Sequence, residues 1–217
     1  MNKKFFAAAL ASALSLSSVA AFAATQSDIT FDAWWTSHCP GIALSDDTVT
    51  VTFHDVNQGT TNWNNAIFVL YNGNGTVNGD GYAETAVFRL DNWGWDTNGG
   101  DTGDNYATLQ ANGITFTSSS TCNWDTFIAD TQAGVDVTVT ATNTSMTVVS
   151  SNGINYTCTY PSTSWLSLGG EYCTLSSINY TYASEATNTA DATPVAYLAA
   201  ATVIAGASVI AFRKRRA

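Results

Sequence analysis

Alternation of apolar and polar residues dominates the middle of the chain. Val49-Thr50-Val51-Thr52-Phe53 and Val135-Asp136-Val137-Thr138-Val139-Thr140 put apolar side chains on one side of an extended backbone and polar ones on the other, the pattern of a strand half on a core and half in water. Ala66-Ile67-Phe68-Val69-Leu70-Tyr71 and Ala86-Val87-Phe88-Arg89-Leu90 are short, nearly continuous apolar runs bounded by Asn, Gly and Asp, which predicts central strands covered on both faces. Further strands are predicted at 146–150, 154–160 and 174–182. Asn72-Gly73-Asn74-Gly75, Asn78-Gly79-Asp80-Gly81 and Asn152-Gly153 tolerate the positive φ of tight turns, and the last has the form of a hairpin. Only Trp124 to Gln132 offers a helix, two turns long with Asn123 as its cap. At least seven strands without a βαβ rhythm predict an all-β domain, a two-sheet antiparallel β-sandwich.

The two ends of the chain read differently. Lys3-Lys4, an uncharged stretch rich in Ala, Leu and Ser, and the small-x-small Ala21-Phe22-Ala23 form the pattern of a secretory signal peptide over 1–23, in preference to a retained N-terminal membrane helix. Pro194 to Phe212 carries no charge and as a helix would reach about 28 Å, enough to cross a bilayer core. Arg213-Lys214-Arg215-Arg216 follows it, and positive residues beside a span stay cytoplasmic. The expected order is therefore signal peptide, ectodomain at 24–183, polar stalk at 184–193, transmembrane helix at 194–212 and a basic cytoplasmic tail at 213–217, with the domain on the outside of the cell. Spacer, span and basic tail together resemble the cell-wall sorting signal of Gram-positive surface proteins. The positions matching its Leu-Pro-x-Thr-Gly cleavage motif are Ala186-Thr187-Asn188-Thr189-Ala190, which keep only the threonine, so a retained single-span anchor is the reading adopted.

Charge narrows the partners. The chain has 217 residues, 17 acids and 7 bases, and only 11% of its residues are charged. Six of the bases lie at the two termini, so Arg89 stands alone among 17 acids and the middle carries 1 − 17 = −16. Such a field repels nucleic-acid backbones, anionic lipid and acidic glycans, while a neutral polysaccharide such as starch, glucan or xylan meets no such opposition. The four cysteines, Cys39, Cys122, Cys158 and Cys173, lie in the exported part, where two disulfides of unspecified pairing are expected. Their spacing does not suit zinc.

Candidate chemistry gathers around tryptophan. Asn62-Trp63-Asn64-Asn65 and Arg89-Leu90-Asp91-Asn92-Trp93-Gly94-Trp95 set flat rings among amides, a carboxylate and a guanidinium, and sugars present C–H faces that stack on rings and hydroxyls that pair with such groups. The candidate carbohydrate-binding residues are Trp63, Asn64, Asn65, Arg89, Asp91, Trp93 and Trp95, with Trp34 and His38 as outliers. Core packing is the competing role for each Trp, and an ion pair with Asp91, on the same strand face, the competing role for Arg89. Asp96-Thr97-Asn98-Gly99-Gly100-Asp101-Thr102-Gly103-Asp104-Asn105 is a loop of oxygen donors, and Asp96, Asn98, Asp101 and Asp104 are candidate calcium ligands, with a solvated acidic loop as the plain alternative. Catalytic patterns are thin. No Glu-x-Asp pair occurs, Glu84 stands alone on its strand, Glu171 follows Gly169-Gly170, and neither His38 nor His54 has a nucleophile pattern to serve.

Trp35-Thr36, Asn62-Trp63-Asn64-Asn65, Glu84, Arg89 to Trp95, and Trp124-Asp125-Thr126-Phe127 before a Val/Thr strand follow one another in an order that resembles a concanavalin-like or laminin-G-like module. The resemblance covers about 140 residues and implies a jelly-roll sandwich, lectin-like, with a glycan-facing surface. It departs from the sandwich glucanases in lacking their acid pair, which favours binding over hydrolysis. The resulting expectation is a non-catalytic cell-surface protein that binds a neutral polysaccharide. A surface adhesin or scaffold that binds another protein, and a hydrolase using Glu84 with Asp91, are the alternatives.

Overall fold

The structure, a computed structural model, describes residues 23–33, 37–95, 109–110 and 112–183. The proposed signal peptide up to residue 22, the stalk, the span and the tail lie outside the described residues, as do Trp34 and the candidate calcium ligands Asp96, Asn98, Asp101 and Asp104. No helix among the described residues is long and apolar enough to cross a membrane.

The described strands are β1 (Ala23–Thr25), β2 (Ile29–Phe31), β3 (Ile42–Ala43), β4 (Val49–Asn57), β5 (Ala66–Asn72), β6 (Ala83–Arg89), β7 (Gly94–Trp95), β8 (Thr115–Ser118), β9 (Val135–Ala141), β10 (Ser145–Ser150), β11 (Asn155–Thr159), β12 (Trp165–Gly170) and β13 (Cys173–Tyr182), with helix α1 (Phe127–Ala133) before β9. They form two antiparallel sheets. The larger runs β1-β13-β4-β9-β10-β11-β8 with β2 on the same edge of β13, and the smaller runs β3-β12-β5-β6-β7.

Alternation decides which sheet face meets the core. In β4 and β9 the buried positions are Val49, Val51, Phe53 and Val135, Val137, Val139, and they pack on Phe68 and Leu70 of β5, Phe88 of β6 and Leu166 and Leu168 of β12. Each such side chain, fully removed from water, is worth about 1.5–3 kcal/mol. Threonine repeats on the outer face of the larger sheet. The register aligns Thr181, Thr50, Thr140, Thr147, Thr157 and Thr117 in one row across six strands, and Thr147 and Thr157 bond through their hydroxyls at 2.9 Å.

β5 is buried along both faces, as its unbroken apolar run predicts. A second cluster, Ile67, Val69, Tyr71 and Val87, lies on the outer side of the smaller sheet. The glycine-rich connection from β5 to β6 folds back over it, bringing Val77 and Tyr82, while Trp165 donates its Nε1–H to the Gly73 carbonyl at 2.9 Å and Trp93 closes the far end. Asn152-Gly153 forms the turn between β10 and β11, where Gly153 has φ +98° and a Cβ would meet the Cys122 backbone nitrogen at 2.9 Å.

Two expectations change. The helix starts at Phe127, not Trp124: Asn123 accepts the Asp125 N–H on its side chain at 3.1 Å and the Thr126 N–H on its carbonyl at 3.2 Å, so 124–126 is a turn and Thr126 becomes the cap residue. The two expected disulfides are not present, and all four cysteines are free thiols. Each sits in its own place. Cys158 faces the core and its thiol points at the Met146 carbonyl, Cys173 lies beside Asp55, Cys39 precedes β3, and Cys122 packs at the Gly153 turn. Burial pushes the Cys39 thiol up to about 11 and raises the others as well, which disfavours the thiolate that disulfide exchange needs.

Candidate functional site

The connection from β4 to β5 and the corner between β12 and β13 enclose an open depression of about 350 Å³, lined by Gly59, Thr60, Thr61, Trp63, Asn64, Glu171 and Tyr172. Its size is at the lower end of small-ligand sites. Trp63 is 43% exposed and Tyr172 49% exposed, so two aromatic rings face water in a chain that hides most of its large apolar side chains.

Local chemistry holds the first wall. Asn57, at the end of β4, accepts the Gly59 N–H at 2.7 Å and donates to the Thr61 carbonyl at 2.9 Å and the Thr131 hydroxyl of α1 at 3.3 Å. The Asn64 side-chain oxygen accepts from the Thr60 and Thr61 amides at 3.1 Å and from the Thr61 hydroxyl at 2.6 Å. The loop closes so tightly that a Cβ on Gly59 would lie 2.0 Å from that oxygen, which reserves the position for glycine. Gln132 of α1 donates to the Gly59 carbonyl at 2.8 Å.

The second wall is stitched to the first. Gln58 N–H donates to the Tyr172 carbonyl at 2.7 Å, and Glu171 N–H to the Asn65 carbonyl at 3.4 Å. Tyr172 itself has φ +42°, a conformation that costs an L-residue roughly 1–2 kcal/mol and that glycine adopts freely. A bulky, exposed ring occupies the place where the fold alone would favour glycine.

Near the end of β4, before this loop begins, lies a carboxyl. Asp55 is fully buried, and its Oδ2 accepts the Ala66 N–H at 2.9 Å, tying β4 to the first residue of β5. Burial pushes it up to about 7, against the Ala66 bond, the adjacent Cys173 thiol and the pull of His54.

Of the sequence-predicted residues, Trp63 and Asn64 come together at this depression, with Asn64 acting as a loop brace. Asn65 is buried behind it and donates to the Asn62 carbonyl at 2.7 Å. Arg89 and Asp91 form the foreseen ion pair, with Nε to Oδ1 at 3.0 Å and Nη2 to Oδ2 at 2.9 Å, and side chains only 12% and 1% exposed. Asn62 donates to the same carboxylate at 2.9 Å, and the guanidinium lies 4.6 Å from the Trp93 ring centre. This group is thus an internal brace behind the loop. Burial pushes Asp91 up while Arg89 pulls it back. His38 is half-buried, packs against Gly169 and is lowered by burial. The Trp95 side chain lies outside the description. Glu84 accepts the Tyr82 hydroxyl at 2.9 Å near the start of β6. Five strand steps separate it from Arg89, about 16 Å before the turn to Asp91 begins, which is beyond glycosidase carboxylate spacing.

Thr60, Thr61 and Tyr172 escaped the sequence reading, and Glu171 entered it only as a carboxylate without a catalytic partner. The signal for the corner was Gly169-Gly170 followed by an acid and an aromatic residue, a turn composition that leaves a ring with no strand face to occupy. Among the described residues no group of three His, Cys, Asp or Glu side chains could hold a metal ion. Neither a protein-family model nor a curated protein sequence matches the chain.

Proposed function

We propose that the protein is a non-catalytic carbohydrate-binding protein of the cell surface, a lectin-like jelly-roll sandwich that holds a neutral polysaccharide such as starch, glucan or xylan in the depression between Trp63 and Tyr172. One observation carries the reading: two exposed aromatic rings border a depression whose remaining lining is hydroxyl, amide and carboxylate, and one of them is kept at a backbone angle that opposes it. Rings stack on sugar C–H faces, while Thr60, Thr61 and Glu171 offer hydrogen bonds to hydroxyls. The charge of −16 between the terminal bases supports a neutral glycan over an acidic one. The signal peptide and single-span anchor expected from the sequence would place this face outside the cell.

The test is affinity electrophoresis in gels of starch, mixed-linkage glucan and arabinoxylan, with the parent chain beside Trp63→Ala and Tyr172→Gly. Retardation by at least one polymer is expected, reduced about fivefold in both variants, since stacking on a ring is worth on the order of 1 kcal/mol. Tyr172→Gly relieves a strained angle, so it should lose binding without losing stability. Retardation that is unchanged in both variants, or absent in a folded parent chain, rejects the reading and leaves a protein partner as the next ligand class to try.

A further inference from the structure

We propose that the depression between Trp63 and Tyr172 also takes a quaternary ammonium group, such as that of choline, and holds it by its positive charge. The inference goes beyond the sugar reading and stands or falls without it.

The lining is electron-rich. Five of its backbone N–H groups are spent on the fold: that of Gly59 on the Asn57 side chain at 2.7 Å, those of Thr60 and Thr61 on the Asn64 side chain at 3.1 Å, that of Asn64 on the Thr61 carbonyl at 3.2 Å, and that of Glu171 on the Asn65 carbonyl at 3.4 Å. The Thr61 hydroxyl donates to Asn64 as well. Beyond these the lining offers two exposed rings, threonine hydroxyl oxygens and the Glu171 carboxylate. Ring faces carry the negative side of a quadrupole and attract cations, tryptophan most of all.

Among the described residues Arg89 is the one lysine or arginine, and it is held by Asp91 with its guanidinium 4.6 Å from the Trp93 ring centre. The fold places its own cation on another ring, so a cation at Trp63 and Tyr172 comes from outside the described domain. The charge of −16 between the terminal bases draws it in. Its kind follows from the donors. A hard divalent ion takes six to eight oxygens, and among the described residues no group of three His, Cys, Asp or Glu side chains could hold a metal. A quaternary ammonium needs no hydrogen bond, carries its charge on a methyl-covered surface and is recognised by aromatic rings. Two rings and one carboxylate supply what it needs.

The experiment follows the indole N–H resonance of Trp63, identified by its loss in Trp63→Ala. The full chain, in a nonionic detergent with neither sugar nor choline headgroups, is titrated with choline chloride and separately with dimethylbutanol, the uncharged carbon isostere of choline. Choline is expected to bind about fivefold more tightly than the alcohol, the weight of a cation on a ring, and the advantage should shrink as sodium chloride is added. Glu171→Gln should weaken choline about threefold, and Tyr172→Gly should weaken it about fivefold. Trp124→Ala, which removes a ring that is 50% exposed but outside the lining, should leave it unchanged. Phosphocholine distinguishes the source: weaker binding than choline assigns the site to a free base, tighter binding to a headgroup. Equal binding of choline and the alcohol, no shift in a folded parent chain, or a response that Tyr172→Gly and Glu171→Gln leave intact overturns the proposal. Choline binding without retardation by any polysaccharide upholds the cation site while the sugar reading falls, and retardation without choline binding does the reverse.

Discussion

Tyr172 and Arg89 show how differently two conspicuous residues can be used. Tyr172 is exposed at φ +42°, a backbone angle its own side chain disfavours. Arg89, the lone base of the domain, is consumed by the fold: its fork grips Asp91, and its flat face lies over Trp93. Removing one partner of a buried pair strands the other. Asp91→Ala is therefore expected to cost about 3 kcal/mol or more, read as a lower midpoint in urea unfolding, because Arg89 and Asn62 both lose their acceptor. A shift below about 1 kcal/mol would place the pair in water. Arg89 and Asp91 were legible as an ion pair from strand parity, since two residues two apart share a face. The burial of Asn64 and Asn65 was not legible, because asparagine beside tryptophan has the same composition whether it faces a sugar or braces its own loop.

Among the elements, the long alternating strands were the most readable. β4 and β9 lie where period two places them, β13 occupies its predicted span with a bulge between Ser176 and Asn179 that breaks the alternation, and β5 is covered on both faces as its composition requires. Missed were the two- to four-residue strands β1, β2, β3, β7 and β8, too short to show a period, and β12, whose Trp165-Leu-Ser-Leu-Gly-Gly mixes strand and turn residues. The helix boundary shifted because a side-chain turn at Asn123 competes with capping, a choice between two hydrogen-bond patterns that the residue type alone leaves open. The cysteines belong to this scale as well, being distributed over separate elements. Titration of the chain with a thiol reagent, without reductant, should give one accessible thiol in the folded state, Cys122, and four after unfolding. Fewer than four would reveal bridges.

Across the whole molecule, the buried carboxyl links folding to pH. The folded form holds the Asp55 proton up to about 7, whereas an unfolded aspartate releases it near 3.8. Below the lower value both states are protonated and nothing is lost. Between the two the unfolded state alone gives up the proton, so this group's contribution falls as pH rises through about 7 and then levels off. Chemical unfolding of the parent should show this decline, and Asp55→Asn should remove it; parallel curves for the two chains would contradict it.

Arg89 has a last consequence, for digestion. A protease that cuts after lysine or arginine finds a single bond between Lys4 and Arg213, that between Arg89 and Leu90. In the folded domain the Arg89 carbonyl accepts the Tyr156 hydroxyl at 3.0 Å, and the Leu90 N–H donates to Ala66 at 3.1 Å. Fraying at loops or edges exposes nothing such an enzyme can use. Trypsin therefore reports how often this domain opens at its centre, and the chain is cut there only when that centre comes apart.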